Sequence, residues 1–135
     1  MLEEARTVCD HLIVGLQIDP SLDRKNKNRP IQSLKERKIQ LGAVRYVDEI
    51  VEYKTESDLY KLLKELEPDV RIIGADHRGK EFTGFDLPPI VFFNTRDHKW
   101  STTELRERIY EQESSRRTHK DRELRNLAAY ENDQN

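Results

Sequence analysis

His11-Leu12-Ile13-Val14-Gly15-Leu16, broken soon after by Asp19-Pro20, is the stretch on which the fold turns. It is apolar almost throughout, does not alternate, and is too short for an ordinary helix, so it predicts a strand buried on both faces. Working outward, Met1 to Val8 reads as the end of a helix with Leu2, Ala5 and Val8 on one side. Downstream, Ser33 caps a helix through Ile39, Leu41 and Val44, and Val47-Asp48-Glu49-Ile50-Val51 gives a second strand. A helix from about Ser57 to Leu66 is closed by Pro68, and Val70-Arg71-Ile72-Ile73-Gly74 and Pro89-Ile90-Val91-Phe92-Phe93 supply two more strands. Strands alternating with helical segments of this length predict right-handed crossovers and a parallel α/β sheet, with ligands at the strands' carboxyl ends.

Composition narrows the function classes. The 135 residues suit one domain, and 24 Lys+Arg against 26 Asp+Glu give a net charge of −2, so no globally basic nucleic-acid binder is indicated. The single cysteine, Cys9, excludes an internal disulfide framework and Cys-rich zinc sites, and reads as a packing residue. His11, His77, His98 and His119 show no paired metal-ligand spacing. There is no P-loop, no Gly-x-Ser-x-Gly and no dinucleotide glycine fingerprint. No apolar run reaches the ~18 residues of a membrane span, so a cytoplasmic protein is expected.

Three segments carry candidate chemistry. In Trp100-Ser101-Thr102-Thr103-Glu104-Leu105-Arg106, Ser101 is a good N-cap and Glu104 completes a capping box, so a helix begins at Thr102 and continues through Leu105 and Ile109. Its free amides, the hydroxyls of Thr102 and Thr103 and the helix dipole suit phosphate oxygens, and Arg106 adds a guanidinium one turn on. The same pattern is also an ordinary helix start. Between Arg24 and Arg45 the chain is strongly basic, with Lys25, Lys27, Arg29, Lys35, Arg37 and Lys38 against Glu36. This is either a solvated surface loop or a mobile loop that closes over an anion. Gly74-Ala75-Asp76-His77-Arg78-Gly79-Lys80, directly after a buried strand, offers close backbone approach and polar contacts, or is a charged turn. The tail from Ser114 mixes both signs, and only Leu124, Leu127, Ala128 and Tyr130 suggest a weak helix. An RNA-binding role for the basic loop lacks an accompanying aromatic platform.

Taken in order, Asn28-Arg29-Pro30-Ile31, Arg45-Tyr46-Val47-Asp48-Glu49, Gly74-Ala75-Asp76, and Arg96 followed by Trp100 to Arg106 resemble the successive motifs of the cytidylyltransferase-like nucleotidyltransferases. The likeness covers roughly residues 1–110 and is nearest the glycerol-3-phosphate cytidylyltransferase and ADP-heptose synthase branches. It implies a Rossmann-like α/β domain over 1–112, followed by a charged extension over 113–135, weakly helical or disordered. It also implies transfer of a nucleoside monophosphate, CMP favoured over AMP, from CTP or ATP with Mg2+ to the phosphate of a small metabolite. No nucleic-acid or membrane partner is expected, and a homodimer would be in keeping with relatives. By the resemblance, Arg96 and Arg45 sit at the reacting phosphates, Ser101, Thr102, Thr103 and Arg106 hold the triphosphate, Lys27 and Arg29 close from the loop, and Gly74 with Asp76 shape the nucleotide pocket.

The sequence departs from the family in one large respect. The family's first strand and its His-x-Gly-His motif normally precede the helix whose end lies at Met1 to Val8, and no His-x-Gly-His occurs in residues 1–135. In the family's strand order, 3-2-1-4-5, that strand is central, so without it two inner sheet edges are exposed. A strand of ~5–6 residues satisfies on the order of ten backbone groups. Leaving several unpaired at ~1–3 kcal/mol each rivals the ~5–15 kcal/mol that holds a domain together. An upstream segment carrying strand and motif is therefore expected; the alternative is a noncatalytic nucleotide- or phosphate-binding module, perhaps completed by another chain.

Overall fold

A computed structural model describes residues 1–95 and 101–132, with side chains up to residue 127. It divides into two compact units, Met1–Arg96 and Asp97–Asn135. The first contains α1 (Leu2–Arg6), β1 (Ile13–Gln17), α2 (Leu34–Gly42), β2 (Glu49–Tyr53), α3 (Glu56–Leu66), β3 (Val70–Gly74) and β4 (Ile90–Asn94); the second contains α4 (Thr102–Asn132). The expected α/β architecture with parallel strands and flanking helices is present.

All pairing is parallel, but it is confined to two separate two-stranded sheets. β1 pairs with β2, Ile13 opposite Glu49 through Gln17 opposite Tyr53. β3 pairs with β4, Val70 opposite Ile90 through Gly74 opposite Asn94. Among the described residues, β1 and β3 therefore have no strand partner along their second edges. The core is correspondingly small: Ala5, Leu12 and Leu63 are the buried apolar side chains, and Gln17 and Asn94 are buried polar ones.

Polar contacts from α1 reach both sheets. At its start the buried Asn94 amide donates to the Met1 carbonyl (2.9 Å), and the Thr95 N–H donates to Glu4 Oε1 (3.0 Å). At its end Arg6 pairs with Asp48, whose carboxylate also accepts the Leu12 N–H at 2.7 Å. Asp48 thus fixes the entry to β1 from the turn before β2, which is why pairing begins at Glu49 rather than at the expected Val47.

The helices of this unit begin as their sequences dictate. Ser33 and Glu36 form a reciprocal capping box at α2, and Thr55 and Asp58 form another at α3. α3 ends with Glu67 in a left-handed conformation (φ 43°) just before Pro68.

In the second unit, α4 runs for 31 residues through the tail, where the sequence suggested only weak helix. The two signs are mixed along it, Arg106 and Arg108 among Glu104, Glu107, Glu111 and Glu113, then Asp121 and Glu123 among Arg116, Arg117, Lys120, Arg122 and Arg125, and Glu104 in the first turn complements the helix dipole. Pairs Glu113–Arg116 (3.5 Å) and His119–Glu123 (3.1 Å) add local support.

Two outcomes follow from this packing. Gly84 has φ +80°, and a Cβ there would lie 2.8 Å from Leu63 Cδ1 and 3.2 Å from Arg71 Nη1. Gly84→Ala is expected to cost at least ~1–2 kcal/mol for the left-handed conformation alone, read by chemical denaturation. The Leu12 N–H first, and the Arg6 guanidinium after it, hold the Asp48 carboxyl below the usual carboxylate range against partial desolvation. Its contribution is complete above the unfolded value of ~3.9 and fades as pH falls through the lower folded value. Asp48→Asn, which keeps an acceptor for Leu12, should flatten the acid loss of stability between pH 5 and pH 2, measured as denaturation midpoints against pH; an unchanged slope would assign that loss to other carboxylates.

Candidate nucleotide site

At the carboxyl end of β1 the chain turns on Asp19, whose Oδ1 accepts the Ser21 N–H (3.0 Å) and hydroxyl (2.6 Å). The Ser21 hydroxyl above all, helped by the Ser21 amide, Arg29 and Arg37, holds the Asp19 carboxyl below the usual range against partial desolvation. Arg37, one turn into the Ser33-capped α2, reaches back to donate to the Gln17 carbonyl (2.9 Å) and to the Ile18 carbonyl. Arg24 donates to Gln17 Oε1 at 2.6 Å, and Gln17 Nε2 donates to the Lys54 carbonyl at 3.3 Å, so the buried glutamine ties the loop to the segment after β2.

Two of the expected loop cations behave differently from these anchored arginines. Lys27 is exposed, its N–H closing a turn on the Arg24 carbonyl (3.0 Å). The Arg29 side chain is 87% exposed, with Nε 4.0 Å from Asp19 Oδ2. The loop thus has an anchored root and cationic side chains projecting into solvent, the disposition required to receive an anion.

At the carboxyl end of β3, Gly74 is buried and leads into a 3-10 turn over Ala75–His77. Its φ of −70° is open to any residue, so the backbone conformation does not call for glycine there. Asp76 lies 3.8 Å from His77 Nε2, while the Arg78 guanidinium lies over the Phe93 ring at 4.8 Å. Next to this turn, across the ladder from Gly74, the fully buried Asn94 leaves its Oδ1 without a hydrogen-bond partner among the described residues.

Arg45, expected at the reacting phosphates, is engaged by its neighbour Tyr46. It precedes the amino end of β2, with its guanidinium 4.8 Å over the Tyr46 ring and Nη2 donating to the Tyr46 hydroxyl at 2.7 Å. That hydroxyl donates in turn to Glu3 Oε1 at 3.0 Å and holds the guanidinium above its ordinary pKa. A five-residue strand at ~3.3 Å per residue separates this end of the sheet from Lys27 and Arg29. Arg96 lies outside the described residues.

In the second unit, Ser101 Oγ accepts the Glu104 N–H (3.0 Å) and the Leu105 N–H bonds the Ser101 carbonyl (3.1 Å), the expected helix start. Thr102 and Thr103 are exposed and Arg106 is half-buried. Among the described residues no three His, Cys, Asp or Glu side chains converge as a metal cage.

The sequence reading missed the anchoring roles of Gln17, Arg24 and Arg37. For Arg37 a signal existed, since its place four residues after the Ser33 cap sets it in the first turn of α2. Gln17 carried none, because a polar residue ending an apolar run reads as solvent-facing.

Comparison with known proteins gives the same answer as the motifs. The family described as Cytidylyltransferase-like matches residues 1–108. The bifunctional protein HldE of Wolinella succinogenes is 41% identical over 87 residues, 64% of this chain and 18% of that protein. HldE of Helicobacter pylori strain HPAG1 is 33% identical over 121 residues, 89% of this chain and 25% of that protein. HldE of Campylobacter curvus is 40% identical over 87 residues, 64% of this chain and 18% of that protein. The chain therefore spans a quarter or less of the length of these relatives. With the motifs in order, the parallel α/β frame in place and four-fifths of its length matched, this chain belongs to the cytidylyltransferase-like family.

Proposed function

We propose that this chain supplies the nucleotide-binding part of a nucleotidyltransferase that moves a nucleoside monophosphate, CMP favoured over AMP, from CTP or ATP to the phosphate of a small metabolite. An oxygen of the acceptor phosphate attacks the α-phosphorus in line, the bond from α-phosphorus to the bridging oxygen breaks, and pyrophosphate leaves. The reaction asks the protein for positioning and for positive charge around the phosphates. The observation that carries the reading is the family membership, joined to exposed Lys27 and Arg29 on an anchored loop at a strand's carboxyl end.

Within this proposal Lys27 and Arg29 contact phosphate oxygens, Gly74 and Asp76 border the nucleotide, and Ser101, Thr102, Thr103 and Arg106 hold the triphosphate through the start of α4. Arg96 stands at the transferring phosphate. Arg45, held by Tyr46 and Glu3, is left out of that set. Mg2+ bound with the nucleotide would neutralise triphosphate charge. Among the described residues no helix is long and apolar enough to cross a membrane, and the partners proposed are the nucleotide and a phosphorylated metabolite.

A second reading goes with the second edges of β1 and β3, which have no strand partner among the described residues: a module that binds nucleotide or phosphate without turning it over. Calorimetry with CTP and with ATP, paired with a pyrophosphate-release assay, separates the two. Binding with release supports transfer, binding alone supports the module, and no binding to either nucleotide defeats both. Lys27→Ala with Arg29→Ala is expected to weaken nucleotide binding at least about tenfold, each lost charge-assisted contact being worth roughly 1.5–3 kcal/mol.

A further inference from the structure

The hydrogen bonds around the start of α3 converge on Glu56, a residue outside every motif noted above. Its Oε1 lies 3.6 Å from Arg24 Nε, and its Oε2 accepts the Thr83 hydroxyl. Its backbone N–H donates to Asp23 Oδ2 at 2.6 Å. Asp23 and Arg24 are the root of the basic loop after β1, whereas Thr83 belongs to the connection between β3 and β4. The Thr83 carbonyl accepts Arg71 Nη1 of β3 at 3.1 Å, which closes a polar path from the loop root to the second sheet.

The surroundings make this carboxylate difficult to replace. Arg24 Nε is buried and makes no hydrogen bond among the described residues, so Glu56 is the charge that compensates it. Burial lowers the Arg71 guanidinium from its ordinary pKa, an effect that Tyr53 and Glu56 oppose. Burial first, then the Glu56 charge, raises the Tyr53 phenol. The nearby Tyr60 hydroxyl donates to Asp86 Oδ2 at 2.8 Å, so α3 grips the β3–β4 connection at a second point one turn on.

We propose that Glu56 is a positioning residue which fixes the root of the basic loop, and thereby sets the phosphate affinity of Lys27 and Arg29 without touching the ligand. The proposal rests on the nucleotide reading for its consequence but not for its geometry. A cationic loop whose root wanders spends its charge on solvent, whereas one whose root is held presents the same side chains over fewer conformations.

Hydrogen exchange read by mass spectrometry on the full 135-residue chain tests the geometry, and titration with CTP and ATP tests the consequence. Glu56→Ala is expected to speed exchange of the amides of residues 19–29 by about tenfold, to leave the β3–β4 amides unchanged, and to weaken nucleotide binding by a similar factor. Glu56→Gln, which retains an acceptor for Thr83 and loses the charge facing Arg24, should release the loop while leaving exchange around Thr83 unchanged. Unaltered exchange over 19–29 in Glu56→Ala, with the strands still protected, overturns the proposal. Should that variant unfold throughout, Glu56→Gln decides, since it removes the charge facing Arg24 and leaves the Arg24 bond to Gln17 in place: local release over 19–29 supports the proposal and its absence overturns it. If Lys27→Ala with Arg29→Ala leaves nucleotide affinity unchanged, the nucleotide reading of the loop fails while the exchange result stands; if that pair weakens binding and Glu56→Ala alters neither signal, Glu56 has no positioning role.

Discussion

The constraint on which this structure depends is that every strand of a parallel sheet needs a partner for its backbone groups, and parallel partners are reached only through crossovers. β1 with β2 and β3 with β4 meet that need on one side each. Among the described residues, the second edges of β1 and β3 are where it goes unmet. Two-stranded sheets are too small to hold themselves together, so the first unit relies on what spans them. α1 does so through Met1 and Glu4 at one end and Arg6 at the other, and α3 does so through Glu56 and Tyr60.

That reliance explains why so much of the unit's order is polar. Among the described residues the fully buried apolar side chains are Ala5, Leu12 and Leu63, while the strand residues around them are covered only in part, so apolar burial gives less than a closed core would. Capping boxes at α2 and α3, the Asp48 bridge and the anchored arginines at the end of β1 carry a share of organisation that a larger core would supply elsewhere. Such groups are directional, so they fix geometry well, and they are charged, so acid removes part of what they give. The carboxyl ends of the strands are consequently built by hydrogen bonds to loops, which is also where the phosphate-binding cations sit.

Much of this was legible in the sequence. Val70–Gly74 reads directly as a buried strand, and the Ser33 and Ser101 helix starts follow from cap chemistry that acts over four residues. Errors arose where a distant partner decides. Strand β1 extends to Gln17 because its ladder with β2 continues to Tyr53, and α3 starts at Glu56 because Thr55 and Asp58 form a box that Ser57 concealed. Arg45 carries a motif, and its contact with the neighbouring Tyr46 is a local feature that the motif does not announce. Glu56 had no motif at all, since its importance lies in which loops come to it. The motifs in order identified the family and the likeness to phosphate-handling enzymes; spacing alone does not report which cation is tethered and which is free.

The exposed charge pairs along α4 have a consequence of their own. Glu113 with Arg116 and His119 with Glu123 lie one helical turn apart on the surface, and such pairs are screened by salt over a Debye length of ~8 Å at physiological ionic strength. Ser101, Thr102 and Thr103 stand at the start of the same helix, where Glu104 complements the dipole through solvent, so the order of the proposed triphosphate grip is tied to the ionic medium even before a nucleotide arrives.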